Sequence, residues 1–139
     1  MRSVSQKDNL GCGIACIAFI LKRDYLEISS VLGRFKANNE GFNCKELSEI
    51  LYKFGFVYSY KYLRPHLKRG IYKNGVIVFV KRSKKYPSGH YLVRWNNLWM
   101  DPWINFLQNK KISEAKSCFR RRLPGMPIYG IFPSTERLV

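Results

Sequence analysis

Apolar residues are patterned differently in the two halves of the chain. From Leu10 to Lys22 they run almost unbroken and are mixed with small residues, which predicts a mostly buried helix starting near Gly11-Cys12-Gly13. Tyr25 to Phe35 continues at approximate helical spacing through Leu26, Ile28, Val31, Leu32 and Phe35. Asn43 stands before Cys44-Lys45-Glu46-Leu47 as an N-cap. Leu47, Ile50, Leu51 and Phe54 then form one apolar face, and Gly55 closes the segment as a C-terminal glycine. After Phe56 the period shortens. Phe56 to Leu63 alternates aromatic with polar residues, and Gly75 to Val80 is a short β-branched run. His90–Trp95 and Leu98–Asp101 flank Asn96-Asn97, which has the chemistry of a two-residue hairpin turn. Ile112 to Phe119 has the spacing of a short helix, and Met126 to Phe132 that of a closing strand. Helices followed by an antiparallel sheet define an α+β class with segregated halves. No repeat, low-complexity tract or linker interrupts the chain, so residues 1–139 are expected to form a single domain.

Composition narrows this picture. At 46% hydrophobic residues the chain can bury a core, which excludes a disordered tail. The apolar runs Ile14–Leu21 and Val76–Val80 are too short to span a bilayer, so no membrane insertion is expected. Met1–Gln6 lacks the apolar stretch and cleavage site of a secretory signal. The expectation is a cytoplasmic chain as encoded, which would enter a target cell only as part of a larger secreted protein. The charge is the unusual feature: 25 basic against 9 acidic residues give +16. Such a balance suits a polyanionic partner such as RNA, DNA, acidic lipid or an acidic protein, or else a solvated basic surface. The four cysteines form no C-x-x-C pair, and free thiols are expected. Histidine occurs only at His66 and His90, which leaves few candidates for acid–base chemistry.

Cys12 opens the first predicted helix, where unpaired backbone N–H groups and the positive end of the helix dipole favour thiolate over thiol. Gly13 lets a substrate approach closely and leaves an N–H as a possible oxyanion donor. The side-chain amide of Gln6 is a candidate second donor. The plain alternative is that Cys12 fills a small buried slot. His90 changes the balance. If Asn96-Asn97 is a two-residue turn, Trp95 pairs with Leu98 and Arg94 with Trp99, so that His90 and Asp101 become diagonal neighbours on one face. A carboxylate there would fix the imidazole tautomer and stabilise the imidazolium. A three-residue turn would place the two on opposite faces.

Gln6 followed by Cys12-Gly13-Ile14-Ala15-Cys16, then the distant Gly89-His90-Tyr91-Leu92-Val93 and Asp101-Pro102, resembles the bacteriocin-processing peptidases. These are papain-like cysteine peptidases that cut leader peptides after a double glycine. The resemblance extends to Gly41-Phe42-Asn43-Cys44 with the Leu47–Phe54 segment, to Gly75–Val80, and to Ile112–Phe132. It implies a papain-like fold, with Gln6 as oxyanion residue, Cys12 as nucleophile, His90 as base and Asp101 as orienting acid. It implies no cofactor, and a peptide substrate. The chain departs from the pattern at Gly11, where the family usually has an acidic residue, and in its charge.

Other assignments remain open at this point. Cys16, one turn beyond Cys12, is a rival nucleophile, although it lies further from the orphan N–H groups. A zinc site from Cys12, Cys16 and His90 has suitable ligand types but no supporting spacing. Arg120, Arg121 and Arg122, with Lys61–Lys73, Lys81–Lys85 and the neighbouring tyrosines, can hold a polyanion. This pattern admits two alternatives to the peptidase. One is a papain-fold toxin that cleaves RNA of the tRNA type and is neutralised by an acidic immunity protein. The other is an idle module that binds a peptide or nucleic acid.

Overall fold

The structure, a computed structural model, describes residues 1–137. Helix α1 (Cys12–Leu21) is buried from Cys12 to Phe19, so it is apolar on every side and runs through the centre of the molecule. It ends at Lys22, whose left-handed conformation returns its N–H to the carbonyls of Ala18 and Phe19. The next apolar segment forms two helices where one was expected. Gly33 has φ +94°, a conformation incompatible with helix continuation, and separates α2 (Tyr25–Leu32) from α3 (Arg34–Asn39). Helix α4 (Cys44–Lys53) starts as its sequence predicts. Asn43 accepts from the Glu46 N–H at 2.8 Å, and Glu46 reaches back to the Asn43 N–H at 3.0 Å.

Six antiparallel strands form one sheet: β1 (Phe56–Tyr62), β2 (Ile77–Val80), β3 (His90–Trp95), β4 (Leu98–Asp101), β5 (Cys118–Arg120) and β6 (Pro127–Arg137), in the order β1-β6-β2-β3-β4-β5. The last strand therefore enters the middle of the sheet, between β1 and β2. Asn96 and Asn97 take φ 48° and 63°, the left-handed pair a tight hairpin turn needs. Trp95 pairs with Leu98, Arg94 with Trp99 and Val93 with Met100, the register expected from a two-residue turn. The segment Ile112–Phe119 departs from expectation. Only Ile112–Glu114 is helical, as one 3-10 turn, and Cys118 and Phe119 lie in β5 opposite Asp101 and Met100. Extending the sheet there pairs the backbone and sets the Phe119 ring against Phe19 at 5.9 Å, which a free helix could not do.

The main core lies between the helices and the sheet, where Ile14, Ile17, Phe19, Leu47 and Leu51 meet Ile77, Val93, Met100 and Ile131. The opposite face of the sheet buries Val76, Val78, Leu92 and Trp99 beneath a 3-10 helix at Pro65–Tyr72. Among the described residues, no helix is long and apolar enough to cross a membrane.

Candidate active site

The N-terminal end of α1 meets the chain-start of β3 at the floor of an open cleft of about 1310 Å³, lined by Gln6, Cys12 and His90. Gly11 occupies the N-cap but has no side chain to cap with. Among the described residues the N–H groups of Cys12, Gly13 and Ile14 have no partner, and the first bond of the helix is Ala15 N–H to Gly11 O. Helix α1 thus begins with three N–H groups left without a partner in the described residues, one of them that of Cys12 itself.

Why Gly11 stands where the related pattern carries an acidic residue is a matter of space. A Cβ there would lie 2.0 Å from the Tyr25 hydroxyl. That hydroxyl donates to Asp8 at 2.7 Å, and Asp8 is completely buried. Asp8 also accepts from Arg34 at 3.1 and 3.0 Å and from Asn38 at 3.0 Å. This carboxylate, which the sequence pattern did not single out, ties the loop before Cys12 to α2 and α3. Its only signal in the sequence was its position four residues before the nucleophile candidate.

His90 is almost fully buried, and its Nε2 sits 2.7 Å from Asp101 Oδ1. Burial works against a charged imidazole. Hydrogen bonds with Asp101 and with Cys12 outweigh it and raise the His90 pKa to about 10. Since Nε2 is committed to Asp101, Nδ1 is the nitrogen left for Cys12. Asp101 is wholly buried. Oδ1 also accepts the Trp103 N–H at 3.0 Å, and Oδ2 accepts Arg120 Nη1 at 3.1 Å. Burial opposes ionisation of this carboxylate too, but its bonds to His90, Trp103 and Arg120 hold its pKa below the usual value. The Tyr86 ring stacks on the His90 ring at 4.9 Å and 10°, and Phe106 stacks on Tyr86 in turn at 5.3 Å. From the sequence Tyr86 stood out only as one of the tyrosines beside the basic segments, and Phe106 not at all, since nothing in the spacing of Lys81–Gly89 or Pro102–Leu107 marks a partner for His90.

The remaining candidates separate. Gln6 is buried beside the cleft, but its Nε2 donates to the carbonyls of Asp8 at 3.1 Å and Asn9 at 3.2 Å, while its Oε1 has no partner. Its amide therefore holds the loop that leads to Cys12. Gly13 faces Leu47, whose methyls lie 3.0 Å from where a Cβ would stand, so a side chain there would press on the buried Leu47. Cys16 is completely buried, and burial raises its pKa well above normal. Arg120 turns inward to Asp101, and Arg121 and Arg122 lie outside the lining of the cleft. The cations that do border it are others, among them Lys81, Arg82 and Lys110. His66 is exposed on the 3-10 helix of the opposite sheet face. Among the described residues no three His, Cys, Asp or Glu side chains converge as metal ligands.

The sequence profile of the peptidase C39 family matches residues 1–117. The fold is similar to that of the peptidase domain of Streptococcus ComA, a bi-functional ABC transporter involved in a quorum-sensing pathway. The similarity has a TM-score of 0.61 at 22% identity, over 96% of this chain and 97% of that one. A search of curated proteins finds no match.

Proposed function

This chain belongs to the peptidase C39 family, with an α+β papain-like fold, and from that premise we propose that it cleaves peptide bonds with Cys12 as nucleophile, His90 as proton carrier and Asp101 as the group that orients His90. The observation that carries this reading is the buried His90, bonded through Nε2 to Asp101 and supported on its other side by Cys12, at the floor of the cleft.

The chemistry follows from the geometry. Cys12 Sγ attacks the scissile carbonyl carbon, and the carbonyl π electrons move to oxygen. The N–H of Cys12, which the start of α1 leaves without a partner, is the donor that receives that charge. His90 hands its proton to the leaving amine as the C–N bond breaks, leaving an acyl-thioester. A water then loses a proton to His90 as its oxygen bonds to the acyl carbon, and the C–S bond breaks to release the acid and restore the Cys12 thiolate beside protonated His90. Asp101 keeps the imidazole in one tautomer and orientation throughout. Gln6 can join the oxyanion donors only by giving up a loop carbonyl, so its contribution here is to hold the loop before Cys12. No step needs a cofactor.

Turnover of a peptide with a central double glycine tests the assignment. Cys12→Ala with an unchanged circular dichroism spectrum should abolish cleavage, and Cys16→Ala should retain it. The reverse pattern would make Cys16 the nucleophile.

A further inference from the structure

The +16 charge is divided unevenly between the two walls of the cleft. Residues 1–53, which hold the four α-helices, carry 8 Lys and Arg against 6 Asp and Glu, whereas residues 54–139 carry 17 against Asp101, Glu114 and Glu136 alone. The walls inherit this difference. On the helical wall Lys36 is paired with Glu46 at 2.8 Å and with Glu40 at 3.4 Å, and Lys45 is the other cation there. Positive and negative side chains therefore balance on that side.

The opposite wall has no such balance. Lys81, Arg82 and Lys110 line it, all three exposed, and among the described residues none has an acidic side chain within 4 Å. Of the carboxylates near it, Asp101 is sealed in the interior and occupied by His90 and Arg120, and Glu114 is engaged by the Asn109 amide. Sheet register fixes how near these cations are to the chemistry. Val80 pairs with His90, so Lys81 and Arg82 are the next two residues out from the position opposite His90. Partner Cα atoms lie about 5 Å apart and each further residue adds about 3.3 Å. The Lys81 backbone is pinned by its N–H to Met126 O at 2.8 Å. Lys110 belongs to the segment whose Phe106 stacks on Tyr86, itself stacked on His90.

We propose that Lys81, Arg82 and Lys110 hold carboxylate side chains of the substrate, so that this cleft selects an acidic peptide. The inference rests on the reading of the cleft as a peptide-cleaving site and adds its charge preference. Unpaired cations beside a groove attract a polyanion of any kind, but a groove whose other wall is charge-balanced and bears Phe42, with Phe79 of β2 also in the lining, suits a chain that carries apolar side chains as well as carboxylates. Nucleic acid carries its charge along the whole backbone and would meet Glu40 and Glu46 as well.

Binding and turnover are measured separately, with the full chain. Fluorescein-labelled peptides sharing a central double glycine and flanked by Glu, Gln or Lys are titrated by anisotropy against Cys12→Ala, and the unlabelled peptides are digested by the wild type. The Glu peptide should bind roughly tenfold tighter than the Gln peptide at low salt and lose most of that advantage at high salt. The ratio should fall to near one in a Lys81→Gln/Arg82→Gln/Lys110→Gln triple variant, which changes only exposed side chains. Equal binding of the Glu and Gln peptides by Cys12→Ala, or a ratio that survives the triple substitution, overturns the proposal. So does an oligonucleotide of equal charge that binds tighter and displaces the Glu peptide, which would assign the wall to nucleic acid. Because these ratios are read without turnover, absence of cleavage in the wild type counts against the peptidase reading alone.

Discussion

Asp101 has no exposed surface, yet both of its oxygens are engaged, one by His90 and Trp103 and the other by Arg120. A buried carboxylate with this many donors stays ionised and holds the imidazolium beside it. Two outcomes follow at this scale. The imidazole of His90 should titrate with a midpoint near 10 in an NMR experiment, where His66 supplies the only other signal. Asp101→Asn should bring that midpoint down, and a midpoint that stays near 10 would contradict the pairing. The sign for stability is set by the same shift. A histidine raised from 6.5 to about 10 contributes fully below about 6.5, and the contribution is lost as pH rises through 10. The second outcome concerns Arg120. It touches no reacting atom and acts through Asp101, so Arg120→Ala should lower kcat roughly tenfold with KM little changed. Arg120→Lys should restore part of that loss. A change confined to KM would place Arg120 in substrate binding instead.

At the scale of elements, the site depends on how three chain segments begin. Helix α1 starts at Gly11 because the Tyr25 hydroxyl fills the space a side chain needs. Gly11→Ala should therefore destabilise the fold by about 1–3 kcal/mol in thermal unfolding, and Gly11→Ala with Tyr25→Phe should recover part of the loss. Strand β3 starts at Gly89, with φ +75° and its Cβ position 2.1 Å from the Phe79 ring, so the chain enters His90 from a conformation that only glycine adopts without strain. Strand β4 starts from the Asn96-Asn97 turn, and this turn sets the register that brings Asp101 to His90. Asn97→Ala should cost about 1 kcal/mol, whereas Asn97→Gly should be close to neutral, as read from melting temperatures. Larger losses from the glycine variant would show that the turn is held by something other than backbone conformation.

Across the whole molecule, α1 packs its buried faces against sheet residues such as Val93, Met100 and Ile131, so the helical half and the sheet share one core. We propose on this basis that residues 1–139 unfold as a single cooperative unit. Far- and near-ultraviolet circular dichroism should give coincident thermal transitions, and two separated transitions would refute this. Charge works at the same scale. Seventeen cations against three acids in residues 54–139 repel one another, so added salt should raise the melting temperature while weakening any acidic ligand.

Local patterns were enough for much of this protein. The buried helix behind Cys12, the capping box at Asn43 and Glu46, the Asn96-Asn97 hairpin and the shared face of His90 and Asp101 are each written within about a dozen residues, because helix and strand periods and turn chemistry act at short range. The break at Gly33 and the strand at Cys118–Arg120 were not legible, since a glycine within an apolar pattern and a short amphipathic run fit either outcome until a neighbour claims them. Tertiary structure alone decided what depends on distant partners. It turned Arg120 from an exposed basic run to Asp101, buried Asp8 among Tyr25, Arg34 and Asn38, and set the Phe119 ring against Phe19. Hydrogen bonds and ring contacts between segments tens of residues apart arise from the packing of the whole chain, and no sequence period records them.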